Sequence, residues 1–391
     1  MGQYKTILRA KLDQQRIQEQ LETIEAKIAQ AIKDKPIIDI AELRKQLAIP
    51  ENIPDEDIID IIKRHKPKTP IKLREYHWYN EPPTAKHQIN TKKLKELIEE
   101  LVKSYRARDI KDLMTRVLGI PKSKAETYME WLKSNTKRLA IKDLITFCRD
   151  FTINPRKLEE HNVFIDYKFP IKIEGNTALI KLKTHILNEG TLLRKPAPRA
   201  KYENKDPILH AYVKKLLEEI GAKTSTPIPS KEAIATFIDT TTARLLHATG
   251  IPYGPKTKTN PPLDPETHKN PELRKYHIQT TLTEEGSIYL TIVGQTLLMG
   301  VYWSRTIDIT DKLTPQQIEQ LKKLTGPTKR ERKIPAEKVK RLLPDVYHTA
   351  LRNPPLMLKQ EVDILRKAHS DICLLYTSDA ADELDGVDLG V

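Results

Sequence analysis

Two stretches of this chain, Leu182-Lys-Thr-His-Ile-Leu-Asn-Glu-Gly190 and Ile278-Gln-Thr-Thr-Leu-Thr-Glu-Glu-Gly286, end alike. In each, a helical pattern closes in Glu-Gly and a strand pattern begins at once. A motif that recurs with its flanks constrains a fold more than composition does, because both copies demand the same helix exit into a strand. The first copy is followed by Lys201-Tyr-Glu-Asn-Lys-Asp206, an amphipathic helix over Leu209–Ile220 that stops at Gly221, a strand pair near 223–229 and 232–239, and a helix near 241–249. The second is followed by strand patterns at Ile288–Val293 and Val301–Ile309 and a helix at Pro315–Leu324. The repeated order is helix, two strands, helix, two strands, helix, so the expected class is α+β.

Upstream the pattern is helical. Residues 1–66 read as an N-terminal helical region. A helix over 4–33 carries an apolar stripe of Ile17, Leu21, Ile24 and Ile28, and shorter helices are expected at 39–48 and 55–65. Pro67, Pro70, Pro82 and Pro83 forbid a continuous helix in 67–90. That stretch reads as a linker or extended arm, with Tyr76, Trp78 and Tyr79 read as packing residues. Residues 91–165 are again helical. Helix patterns at Leu94–Leu101 and Ile110–Val117 lead through Gly119-Ile-Pro-Lys122 to a helix at Ser123–Lys133, and another follows at Ile141–Cys148. A helix, a short turn with glycine and a second helix with a polar, basic start resembles the repressor-type helix-turn-helix. Lys122, Ser123, Lys124 and Thr127 are its candidate DNA contacts.

The 391 residues contain 67 Lys plus Arg against 53 Asp plus Glu, a net charge of +14. A basic chain of this kind points to a polyanion, most often nucleic acid. No apolar run approaches a membrane span, and Cys148 and Cys373 form no CxxC pair. The sequence thus argues against a membrane protein, a disulfide scaffold and a cysteine-based metal site, and points to a cytoplasmic protein. There is no P-loop, GxGxxG, HExxH or GxSxG, so no nucleotide cofactor is expected. Residues 331–372 read as a truncated helical segment. Residues 373–391 match in one reading frame a transposase mosaic end joined to a sequencing adapter, and are set aside from fold reasoning. On that reading the natural protein continues beyond Ile372. The stretch holds five acids and no Lys or Arg, so the remainder is more basic still.

With both motifs in hand, residues 170–330 resemble the LAGLIDADG homing endonucleases, in the archaeal form with a helix-turn-helix ahead of the nuclease part. The loop Gly250-Ile-Pro-Tyr-Gly-Pro-Lys, with Pro261-Pro-Leu and Asn270-Pro-Glu, also fits that family's approach to its second motif. The resemblance implies a pseudo-symmetric αββαββα saddle, built as a monomer, that grips double-stranded DNA. The motif helices would each deliver one carboxylate, Glu189 and Glu285, as catalytic residues and ligands of Mg²⁺. Arg199, Lys201, Lys223, Lys256, Lys258 and Arg305 are candidate phosphate or base contacts.

Departures from the pattern are specific. Close helix crossing favours small residues, yet the small positions hold Thr184, Asn188, Thr280 and Glu284. Glu284 is expected either to pair with a lysine or to widen the crossing. Glu189 stands where Asp is usual, and His185 is expected to be packed or hydrogen-bonded rather than a ligand. Besides the Mg²⁺-dependent endonuclease, two readings stay open: a DNA-binding regulator that has lost cleavage, and an RNA-binding splicing helper. An intein is disfavoured, because the chain opens on Met1 and His161-Asn162 precedes Val163.

Overall fold

The computed structural model describes residues 23–33, 35, 38–50, 55–66, 71–72, 74–194, 197–223, 225–230, 233–293, 296–325 and 334–368. The first part of the 4–33 helix and the adapter-like 373–391 lie outside the described residues. Helices and sheets mix in an α+β arrangement. The chain divides into two units. One takes the described residues up to Leu179 with Lys214–Ser225 and Ile238–Thr249; the other takes Ile180–Val213, Thr226–Phe237 and those from Gly250 on.

The described part of the first unit starts at helix α1 (23–32), which buries Ile24 and Ile28 of the expected stripe and also Ile32; Ile17 and Leu21 lie outside the described residues. Strand β1 (Ile38–Asp39) leads into α2 (Ile40–Leu47), where the Asp39 carboxylate caps the helix by accepting from the Glu42 N–H at 3.1 Å. Helix α3 (Asp55–His65) and strand β2 (Ile71–Lys72), parallel to β1, follow. Residues 74–90 are not a free arm. Strand β3 (Glu75–Tyr76) buries Tyr76, and a short 3₁₀ turn (Trp78–Asn80) buries Trp78. Strand β4 (Lys86–Asn90) then pairs antiparallel with a strand inside the segment expected to be purely helical.

That segment runs α4 (Thr91–Ser104), a short α5 (Ile110–Asp112) continued by one π-turn (Leu113–Val117), α6 (Lys122–Leu132), β5 (Thr136–Ala140) and α7 (Ile141–Asp150). Only Leu139 and Ala140 of β5 are buried, which is too little alternation to read as a strand in sequence. Helix α6 steps Ala125, Tyr128 and Trp131 inward, where Tyr128 and Trp131 pack against Phe147 of α7. Its opposite face, with Lys122, Ser123 and Thr127, is exposed. Helix α8 (Arg156–Glu160) supplies the buried Glu159 that holds His77, and β6 (Ile171–Lys172) pairs with β3.

Helix α9 (Thr177–Glu189) carries the chain into the second unit. Strands β7 (Gly190–Leu193) and β8 (Arg199–Asn204), helix α10 (Pro207–Glu219), and strands β9 (Ile228–Ser230) and β10 (Ala233–Ile238) follow, then α11 (Thr240–Ala248); α11 and the part of α10 from Lys214 on belong to the first unit. The four strands form one sheet in the order β7-β8-β10-β9. After α12 (Lys256–Thr259) and α13 (Pro265–Lys269), helix α14 (Pro271–Glu285) exits into β11 (Ser287–Val293) and β12 (Thr296–Tyr302). These two pair only with each other, and among the described residues no second strand pair completes the repeat. Helices α15 (Pro315–Leu324), α16 (Ala336–Leu342), α17 (Pro344–Arg352) and α18 (Leu356–Ala368) follow instead. The strand expected over 301–309 ends at Tyr302. Beyond it, Trp303 and Arg305 both bond Glu361 on α18, which draws the segment to that helix rather than to a ladder.

Gly190 and Gly286 are needed for space. A Cβ on Gly190 would lie 2.6 Å from the Cα of Ile186, and one on Gly286 would lie 2.9 Å from the Cα of Leu282. Gly286 has φ −79°, so the demand is steric and not one for left-handed backbone. Gly286→Ala is expected to lower unfolding stability by roughly 1–3 kcal/mol, the usual cost of forcing extra atoms into packed structure. An unchanged urea midpoint would refute this account of the motif's terminal glycine.

Candidate active site

The site begins with two helices meeting. Thr184 Oγ1 of α9 lies 3.3 Å from His277 Nδ1 of α14. At the next residue of α9, His185 Nδ1 donates to Glu284 Oε1 at 2.5 Å, and its Nε2 lies 2.7 Å from the Tyr276 hydroxyl. The Asn188 amide donates to Glu284 Oε2 at 2.8 Å, and the Tyr202 hydroxyl of β8 donates to Oε1 at 2.6 Å. Glu284 therefore pairs with a histidine rather than a lysine, in a crossing where the two helices still reach each other through Thr184 and His277. Its fully buried carboxylate is held by three polar side chains, two of them on the facing helix. His185 is hydrogen-bonded, as its place in the motif suggests.

Glu189 and Glu285, the last residues of α9 and α14, are within electrostatic reach of each other. Burial and repulsion from Glu285 and Glu284 push Glu189 up to about 7 from 4.5, with Lys256 and Arg305 pulling the other way. Burial also raises Glu285, against the opposing charges of Arg305 and Lys256. Arg305 Nη1 donates to Glu285 Oε1 at 3.3 Å. Glu189 has no ion pair among the described residues.

Two residues expected to touch DNA are used internally. The Arg305 side chain is 8% exposed. It donates to Glu361 Oε1 at 2.6 Å, to Asn188 Oδ1 at 2.8 Å and to Thr281 Oγ1 at 3.3 Å. A guanidinium so enclosed cannot also reach a phosphate. Lys256 donates to the carbonyls of Ile186, Leu187 (2.8 Å) and Asn188, so it caps the C-terminus of α9, where the helix dipole favours a cation. Burial brings its ammonium down to about 8, although Glu285 and Glu189 oppose the shift. Lys201 pairs with Glu203 at 2.5 Å, and Lys124 with Asp150 at 2.5 Å. Arg199, Lys223, Lys258, Lys122, Ser123 and Thr127 are exposed. Lys223 belongs to the first unit and Arg199 and Lys258 to the second.

Sequence reasoning missed Glu361. It lies beyond the expected boundary at 330, in the segment read as separate, and it is fully buried. Burial alone would raise it, but hydrogen bonds from His277 and Arg305 prevail and bring it down to about 2. Its second oxygen accepts from Trp303 Nε1 at 3.0 Å. An acid on the apolar stripe of α18, within Leu356-Met-Leu-Lys-Gln-Glu-Val-Asp-Ile-Leu365, was the available signal. Among the described residues no group of three or more His, Cys, Asp or Glu side chains is arranged to hold a metal ion. Glu189 and Glu285 are two hard-oxygen donors, and Mg²⁺ commonly takes one or two carboxylates with water and substrate phosphate.

Because Glu189 is raised in the folded state, its contribution to stability is full below about 4.5 and is lost as pH rises towards 7. In metal-free buffer, Glu189→Gln should therefore unfold at higher denaturant than wild type at pH 8, by roughly 2 kcal/mol after allowance for solvent screening. The two should converge near pH 4.5. Parallel stability curves across that range would contradict the assignment. Arg305→Met should lose roughly 3–5 kcal/mol by stranding Glu361, and Arg305→Met with Glu361→Leu should recover most of it. A phosphate-contacting arginine would show neither effect in thermal melts without DNA.

No family model matches the chain. No curated protein matches it either.

Proposed function

We propose that the chain is a LAGLIDADG-type protein that binds specific sites in double-stranded DNA and hydrolyses a phosphodiester there with Mg²⁺. The observation that carries this reading is the pair of coupled carboxylates, Glu189 and Glu285, at the ends of two helices that meet. Two half-buried acids that repel each other are costly for folding, and a cation between them offsets that cost. Glu189 and Glu285 would hold Mg²⁺, which would supply charge against the phosphate and a more acidic bound water. Lys256 holds the end of α9, and Arg305 orients Glu285, so both carboxylates are positioned by cations of the chain itself. The four-stranded sheet after α9 supports a DNA-facing cradle carrying Arg199, with Lys201 tied to Glu203. The exposed Lys122, Ser123 and Thr127 on α6 support a helix-turn-helix that adds target contacts.

A second reading, binding without cleavage, is favoured by one observation: Arg305 already sits on Glu285 and partly neutralises it. The two readings separate in a cleavage assay on supercoiled plasmid libraries with Mg²⁺. The nuclease reading expects nicking by the intact chain, and a loss of at least about 10²-fold in Glu189→Gln and in Glu285→Gln with DNA binding retained. Duplex binding without nicking at any sequence would leave the regulator.

A further inference from the structure

We propose that the end of α4 and the turn after it form a phosphate-binding surface beside α6, through Lys103, Arg106, Arg108 and Lys111, joined by Lys122 and Arg149. This deepens the DNA-binding reading above and rests on it. All six side chains are exposed, and none is in an ion pair among the described residues. Three of the acids nearby are already engaged. Asp112 is gripped by Arg116 at 2.6 and 2.7 Å, Asp109 accepts from the Asp112 N–H at 2.8 Å, and Asp150 takes Lys124 at 2.5 Å and the Tyr128 hydroxyl at 2.6 Å. The six basic residues outnumber the acids left without an ion pair beside them, Asp109 and Glu126, so a net positive charge faces solvent.

The end of α7 gathers the three segments. Tyr105, which follows α4, has its hydroxyl 3.3 Å from Thr152 Oγ1. Two residues earlier, Asp150 holds the first turn of α6 through Lys124. The turn after α4 and the start of α6 thus share one anchor, and Arg149 is exposed next to it. The turn itself is fixed. The Ala107 N–H reaches the Val102 carbonyl at 3.0 Å and the Arg106 N–H reaches that of Lys103 at 3.2 Å, which is the Schellman closure. Arg106 has φ 52° at the position where that closure usually takes glycine. An arginine held there against backbone preference fits a guanidinium needed outside. Exposed lysines and arginines on segments held by one anchor suit a regular array of phosphates, and duplex DNA supplies one. Phosphate contacts of this kind set register for the α6 face, where Ser123 and Thr127 would meet base edges.

The test uses the full chain and a pool of random-sequence duplex DNA, titrated between about 50 and 200 mM salt. The variant is Arg106→Gly with Arg108→Gln and Lys111→Gln. It should lower affinity roughly 10²-fold at physiological salt and make the log-log salt slope shallower by about 3. Its melting temperature should not fall, because glycine relieves the left-handed residue. Unchanged affinity and slope, with wild type binding normally, would overturn this surface and leave the DNA-binding reading standing. Preference of wild type for single-stranded RNA of the same length, lost in the variant, would also overturn it. Absence of duplex binding by wild type would remove the reading and this surface together.

Discussion

The second unit depends on burying one guanidinium. Arg305 joins Glu361 of α18, Glu285 and Thr281 of α14, and Asn188 of α9. Taking such a cation out of water costs several kcal/mol, and only a full set of acceptors makes the arrangement tenable. The acceptors then have no freedom left. Glu361 must stay ionised, which its fall to about 2 reflects. Glu285 is turned towards Arg305. Glu189 has no ion pair among the described residues, and burial first, then repulsion from Glu285 and Glu284, lifts it to about 7. One buried charge thereby reaches both acids: it is paired with Glu285, and it opposes the rise of Glu189 from a distance.

The same seam explains how polar residues are tolerated where close helix approach usually demands small ones. Glu284 brings a carboxylate into the crossing, and α9 answers with His185 and Asn188, while β8 answers with Tyr202. A half-satisfied group here would cost more than an apolar one. A satisfied one fixes the register of the two helices, because a shift by one turn would separate every donor from its acceptor. The bulk that sequence reasoning counted against the crossing is the means by which it is held.

The legible parts of the chain were those with local causes. The motif ends, the helices around them and the apolar face of α6 follow from spacing, caps and terminal glycines. Strand β5 was not legible, since only two of its residues are buried. The end of β12 was misplaced because Val301–Ile309 alternates well enough to pass for a strand, and only the distant Glu361 diverts it. Arg305 and Lys256 were assigned outward because a basic residue near a motif is indistinguishable in sequence from one that serves an internal acid or a helix end. Glu361 lay on the wrong side of an assumed boundary.

Those two residues carry a wider point about a chain of net charge +14. Total charge says that a polyanion is a plausible partner; it does not say which cations are available to it. In the second unit, Arg305, Lys256 and Lys183 answer acids or carbonyls of the fold, Lys183 through Asp264 at 2.5 Å. In the first, several acids are already matched, so the surplus falls on surface arginines and lysines around the turn after α4. The field a ligand meets is what remains after internal pairing, and that remainder is unevenly distributed even where the composition is basic overall.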